Sequence, residues 1–204
     1  MLKLKMEGIF LIGAGSHSKQ IYDILLLRNI KILGIFDDVK DVFYQYKIMG
    51  KVDEIYNLDK MVSLFCGIGD NKLRREIFEK FPMYNWVNII HPNCHISTTA
   101  KIGTGNYIGF NSYIGPDVII GNGNIINEQA AILHDTVLGN YNHISIKSSV
   151  GARNRIGNEN FFGMHSLSIP DIHIGHNNTI GANTTIIRNV LSHLKLVGSP
   201  ARCI

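Results

Sequence analysis

Nine histidines occur in the 204 residues, and eight of them lie at or beyond residue 91. His134 stands apart because Asp135 follows it directly. Along a straight strand adjacent side chains point to opposite faces, but at a corner between two short strands an imidazole and a carboxylate can meet. A carboxylate beside an imidazole fixes its tautomer and stabilises its protonated form, the arrangement a general base needs. His95, His165, His173, His176 and His193 read as exposed corner residues. A second constellation lies near the N-terminus, where Gly13-Ala14-Gly15-Ser16-His17 separates an apolar run from a helical pattern. Amides at such a helix start bind a phosphate or carboxylate readily. Ser18 stands where a dinucleotide fingerprint has its third glycine, which argues against NAD. Asp37 and Asp38 end the next apolar run, at the edge where open α/β sheets take their ligands.

Few other side chains suggest chemistry. Cys66, Cys94 and Cys203 are odd in number and form no CxxC pair, so neither a disulfide framework nor a structural zinc site is expected. Hydrophobic residues make up 45% and charged residues 18%, which excludes a disordered tail protein. A net charge of +4 without a basic block gives no reason to expect nucleic acid. Two lysines precede the first apolar run, but the run is short, glycine-bearing and continuous with a helical pattern, so it reads as a strand and not as a signal peptide. No stretch approaches the ~20 apolar residues of a membrane span, and the cytoplasm is the default compartment.

The elements that must hold these residues obey two grammars. Residues 1–88 alternate strand and helix: strands at 8–12, 30–36 and 62–66, helices at 19–28 and 72–80, and glycine-rich turns between them. This is the βαβ pattern of a small doubly wound, Rossmann-like α/β domain. Residues 89–204 follow a period of six. From Ile90 to Ile186 every sixth residue is aliphatic or Phe, with Ser168 the one exception. Glycine follows at 103, 109, 115, 121, 139, 151, 157, 163, 175 and 181, and two positions before the aliphatics lies mostly a small or polar residue, such as Ala100, Ser112, Ala130, Thr136, Ser148, Ser166 or Thr184. Neither a helix nor an ordinary strand has this period; a hexapeptide-repeat parallel β-helix does. Each hexad supplies one flat face with its aliphatic residue inward, and glycine is expected to ease the bend. Three hexads per coil give about five coils, a prism of about 25 Å at ~4.8 Å per strand.

Taken together, these motifs are similar to a known family. Hexads of the form Ile-Gly-x-x-small-x behind a small α/β domain resemble the left-handed β-helix sugar acyltransferases of the NeuD/PglD type. The likeness rests on Gly13-Ala14-Gly15-Ser16-His17, Phe36-Asp37-Asp38, Gly69-Asp70-Asn71 with Arg74, His91-Pro92, His134-Asp135, His143 and Gly198-Ser199-Pro200-Ala201-Arg202. The resemblance implies a left-handed coil, a homotrimer with sites between neighbouring prisms, acetyl-CoA as acyl donor and no metal. It implies His134 as catalytic base with Asp135 beside it. Asn127 and His143 then position substrate or donor, and backbone amides near Ala152 and Ala182 hold the thioester arm. Ala152 stands where relatives often have glycine, and Lys147 where a small residue is usual. It further implies a nucleotide-sugar pocket of Gly13, Gly15, Asp37, Asp38, Gly69, Asp70 and Asn71, with His17 near the sugar and Arg74 structural. The expected reaction is N-acetylation of a nucleotide-linked amino sugar, UDP-linked and 4-amino, in bacterial surface glycan synthesis. O-acetylation of a sialic-acid-type sugar is the alternative within the class. A zinc γ-carbonic anhydrase shares the β-helix but needs three convergent histidines including an H-x4-H pair, which the sequence lacks. A non-catalytic trimer scaffold would have no use for the His134-Asp135 pair.

Overall fold

The computed structural model describes residues 8–204, so the lysines at 3 and 5 lie outside the described residues. The chain divides into two compact units at Ile89/Ile90. In the first, β1 (Gly8–Ile12) is buried along its whole length, as a strand covered on both faces must be. It pairs in parallel with β2 (Lys31–Phe36) on one side and β5 (Ser63–Cys66) on the other. A fourth strand, β6 (Asn85–Trp86), which the sequence pattern does not predict, extends the sheet beyond β5. Its Trp86 ring stacks on Phe78 at 4.0 Å and donates its indole N–H to the Phe81 carbonyl. The hairpin of β3 (Val42–Phe43) and β4 (Tyr46–Lys47) and a 3-10 turn at Val52–Asn57 were likewise not foreseen.

Helix α1 runs over Ser16–Leu27, beginning three residues before the expected start, and buries Ser18, Ile21, Ile24 and Leu25 against the sheet. Helix α2 covers Asn71–Lys80 and is N-capped by Asp70, whose carboxylate accepts from the Leu73 amide at 2.9 Å.

The second unit is a left-handed parallel β-helix. Two-residue strands recur around three faces, each paired with the strand eighteen residues on, as Tyr113–Ile114 is with Ala131–Ile132. The first face runs from Ile89–Ile90 to Lys195–Val197, the second from His95–Ile96 to Thr185–Ile186, and the third from Lys101–Ile102 to His173–Ile174. The inward positions Ile108, Ile114, Ile126, Ile132, Ile144, Phe162, Ile180 and Ile186 are fully buried and form one continuous core. At one corner Asn106, Asn124, Asn142, Asn160 and Asn178 stack as a buried ladder. Each side-chain oxygen accepts from the backbone and side-chain N–H groups of the next asparagine.

Two expectations are corrected. The bend does not fall on the repeat glycines. From Ile108 to Ile180 the left-handed residue is three positions after the inward one, as at Asn111, Asp117, Gln129, Asp135, Tyr141, Lys147 and Arg153. The glycines answer to coil-to-coil approach instead: a Cβ on Gly139 would lie 2.6 Å from the Gly157 carbonyl oxygen. The helix also continues past Ile186. Its last coil is two residues short, so Ile174 bridges Val190 and Ile180 pairs with Leu196, sixteen residues on, which hid this turn from a strict six-residue reading.

Candidate functional site

The α/β unit holds a cavity of about 770 Å³ at the carboxyl ends of its strands. The β1–α1 turn contributes Gly13, Gly15 and His17, the end of β2 Asp37 and Asp38, and the β5–α2 turn Gly69. The turn is built for tightness: Gly13 takes φ +92°, and Ser18 Oγ donates to its carbonyl at 2.6 Å and to that of Gly67 at 3.3 Å. A Cβ on Gly67 would lie 2.1 Å from that hydroxyl oxygen, so Ser18 and Gly67 form one device locking α1 to β5. At Gly15 and Gly69 an added Cβ meets nothing within 4 Å, which leaves the mouth open. The first turn of α1 carries no capping side chain and no acid, so the positive end of its dipole is not offset by a carboxylate of its own.

The two aspartates have different duties. Burial alone would raise the Asp37 carboxyl. The Lys40, Val39 and Ala14 amides and the Lys40 ammonium outweigh it and hold the group below the usual carboxylate range. Asp37 thus ties the end of β2 to the β1–α1 turn, while Asp38 spends one oxygen on the Val52 amide. Burial lowers the His17 imidazole to about 4, against the pull of the Gln20 hydrogen bond at 2.9 Å and aided by the Arg74 guanidinium. The ring is neutral at physiological pH.

Asp70 and Asn71, expected in the pocket, are not among its lining. Asp70 caps α2, and Asn71 accepts from Arg74 at 2.7 Å. Arg74 is 1% exposed and also donates to the Ile68 and Gly69 carbonyls, so it shapes the turn that presents Gly69. The sequence reading missed Leu73, Glu76, Ile77 and Lys80, the α2 face that walls the cavity. Their i, i+3, i+4, i+7 spacing was the available signal.

In the β-helix, His134 and Asp135 occupy the corner between the second and third faces, with Asp135 at φ +60°. This turn swings the carboxylate onto the ring, Nδ1 to Oδ2 at 2.7 Å, with both side chains half exposed. An ionised carboxylate only accepts, so Nδ1 carries the proton and Nε2 presents a lone pair to solvent. Ala152 stacks on this corner one coil later. Asn127 and His143 form a second pair, on the first face and its edge: the Asn127 amide contacts His143 Nε2 at 3.2 Å, and Phe161 packs edge-on against the ring. Asn127 Oδ1 is buried with no hydrogen-bond partner among the described residues, leaving it available to a donor on a ligand. Ala182 lies on that same edge. One chain therefore places His134, Asp135 and Ala152 at one corner and Asn127 and His143 at another, with Ala182 two coils beyond His143 along that edge.

Of the two amide-rich stretches, Gly151 gives its N–H to Ser168 Oγ at 3.2 Å and Gly181 gives its to the Leu196 carbonyl at 2.7 Å. The Ala152 and Ala182 amides donate to no acceptor among the described residues. Ser168, the one polar residue among the every-sixth positions from Ile90 to Ile186, is thereby explained: it also accepts from Asn154 at 2.6 Å. Lys147 stands exposed at a left-handed corner position. Among the described residues no three His, Cys, Asp or Glu side chains converge as a metal site would require. No helix of the described residues is long and apolar enough to cross a membrane.

Known proteins share both units. Residues 8–81 match the model of the PglD N-terminal domain, and residues 90–168 that of the GMPPB C-terminal domain. A perosamine N-acetyltransferase from Caulobacter crescentus, solved with CoA and GDP-perosamine, superposes with a TM-score of 0.91 at 26% identity, over 98% of both chains. A UDP-N-acetylbacillosamine N-acetyltransferase from Bacillus subtilis is 27% identical over 111 residues, 50% of this chain. An uncharacterised mimivirus protein, L142 of Acanthamoeba polyphaga mimivirus, is 39% identical over 111 residues, 53% of this chain. The matched segments amount to 51% and 22% of those two relatives' lengths. Residues 8–81 thus carry a domain of the PglD N-terminal type, joined to a left-handed hexapeptide β-helix like that of the perosamine N-acetyltransferase, and in this arrangement the chain is similar to the NeuD/PglD-like sugar acyltransferases.

Proposed function

We propose that the protein transfers an acetyl group from acetyl-CoA to the amino group of a nucleotide-linked sugar, UDP-linked and 4-amino in the first instance. The observation that carries this reading is the His134–Asp135 contact at 2.7 Å, which leaves His134 Nε2 as an outward-facing base. The α/β cavity supports it with a size suited to a ligand and with a helix start that carries no acid of its own, where a pyrophosphate would be held.

The donor fits the groups present: the free Ala152 and Ala182 amides and the unpartnered Asn127 oxygen are the kinds of group that grip a pantetheine amide and a thioester carbonyl. When bound, the thioester supplies an activated carbonyl, on which the sugar nitrogen forms its C–N bond as the C–S bond breaks. His134 Nε2 takes the proton released from nitrogen, and Asp135 stabilises the imidazolium that results; the proton then passes to the departing thiolate. Because the two groups of site residues sit at different corners, a complete site needs a neighbouring chain, and a homotrimer of prisms supplies it. The cytoplasm, where CoA thioesters and nucleotide sugars are made, is the compartment this reaction requires.

Thiol release from acetyl-CoA tests the reading, with UDP- and GDP-linked 4-amino sugars, UDP-linked 2-amino sugars, the same sugars without nucleotide, and sialic acid. Turnover confined to a nucleotide-linked amino sugar is expected. Equal rates on the free sugar would remove the role given to the cavity, and turnover on sialic acid alone would make the enzyme an O-acetyltransferase.

A further inference from the structure

The corner that carries His134 continues as a column of charges. Asp117, Asp135, Arg153 and Asp171 follow one another at single-coil steps, all left-handed, with φ between +56° and +61°. Their backbones are stacked: the Asp135, Arg153 and Asp171 amides donate to the Pro116, His134 and Ala152 carbonyls, each at 3.0 Å. Arg153 therefore has a carboxylate one coil away on either side, on equivalent backbone. Its guanidinium takes the side away from His134, with Nε and Nη2 each 2.7 Å from an oxygen of Asp171. Arg155 completes the corner by donating to the Asp135 carbonyl at 2.7 Å, which fixes the backbone and leaves the carboxylate alone.

We propose that Asp171 is a positioning residue for the acyl transfer: its two-point ion pair holds Arg153 off Asp135, so that the Asp135 carboxylate is left to His134. This rests on the reading of His134 as the base. A guanidinium prefers a carboxylate that it can grip with two parallel N–H groups. Without Asp171, the acceptor at the equivalent distance is Asp135, whose Oδ2 already accepts from His134 Nδ1. Capture of that oxygen would remove the partner of the imidazolium and bring a cation toward it, and both effects lower the basicity of His134. The charged or titratable groups facing His134 are Asp135 on its own coil, Asp117 on the preceding coil, Arg153 and Arg155 on the next, and Asp171 with His173 beyond them. The Arg153–Asp171 pair is half exposed, so its loss costs little stability and the variants fold.

The test is an NMR titration of the His134 ring in the full-length chain, with pH profiles of kcat/KM measured beside it. Asp171→Asn is expected to lower the His134 pKa by roughly 0.5–1 unit, with the acid limb of the profile moving equally. The double variant Asp171→Asn/Arg153→Gln is expected to restore both, since no cation is left to capture Asp135. Asp117→Asn removes a negative charge closer to His134 but frees no guanidinium, so its shift should be less than half as large. An unchanged pKa in Asp171→Asn, an equal shift in Asp117→Asn, or no restoration in the double variant would each overturn the proposal. The titration reads out even if His134 proves not to be the base, in which case His134→Ala keeps its turnover while the pKa series is unaffected.

Discussion

Adjacency in sequence made His134 and Asp135 conspicuous, and the left-handed φ of Asp135 turns that adjacency into a hydrogen bond. Asp70 and Asn71 show the opposite outcome: both were conspicuous, yet a helix cap and a guanidinium hold them. Short polar side chains at helix starts serve local backbone needs first, and sequence cannot separate that duty from ligand binding. His17 yields a prediction at this scale. Its imidazole is lowered from 6.5 to about 4 by burial, so the folded chain binds fewer protons there than the unfolded one. Stability therefore rises with pH across that window, and the contribution is complete above about 6.5 and lost as pH falls toward 4. Denaturant unfolding near pH 7 and near pH 4.5 should show an acid-side loss that His17→Gln reduces by about 2–3 kcal/mol. An identical loss in the variant would show that His17 is not what acid attacks.

Among the elements, the β-helix was legible because a period of six admits one architecture and runs unbroken for sixteen steps of the chain. What sequence did not reveal was the reason for its glycines. A pattern reports that a side chain is excluded, not whether backbone angle or a neighbouring coil excludes it. Gly115 makes the difference testable: a Cβ there would sit 2.9 Å from the His134 backbone nitrogen. Gly115→Ala should cost about 1–3 kcal/mol in thermal unfolding and lower kcat more than it changes KM, because it pushes on the corner carrying the base. A variant with native stability and kcat would mean the coils give way freely at this point. The α/β unit was less legible. Its strands and helices follow ordinary hydrophobic patterns, but β6 is two residues long and β3–β4 form a short hairpin, below the length at which alternation is visible. The cavity wall on α2 was overlooked for a related reason: an amphipathic face looks the same whether it meets a core or a ligand.

For the molecule as a whole, the chain carries the two halves of one proposed site at separate corners of its prism. In the homotrimer proposed above, a head-to-tail ring of prisms would join the His134 corner of one copy to the Asn127–His143 edge of the next. Mixing inactive His134→Ala and His143→Ala chains after unfolding and reassembly should then regain about a quarter of native turnover, because one interface in four receives both intact halves. No recovery in assemblies shown to contain both chains would place each site within a single copy. The central claim is that His134 removes the proton from the sugar amine. Its most direct test is the steady-state rate of thiol release by His134→Ala with the nucleotide amino sugar that the native enzyme turns over. The rate should fall by about 10²–10⁴-fold while KM for both substrates changes little. A variant that keeps its rate within a few-fold of native would contradict the account and leave the 2.7 Å pair as a structural feature of the corner.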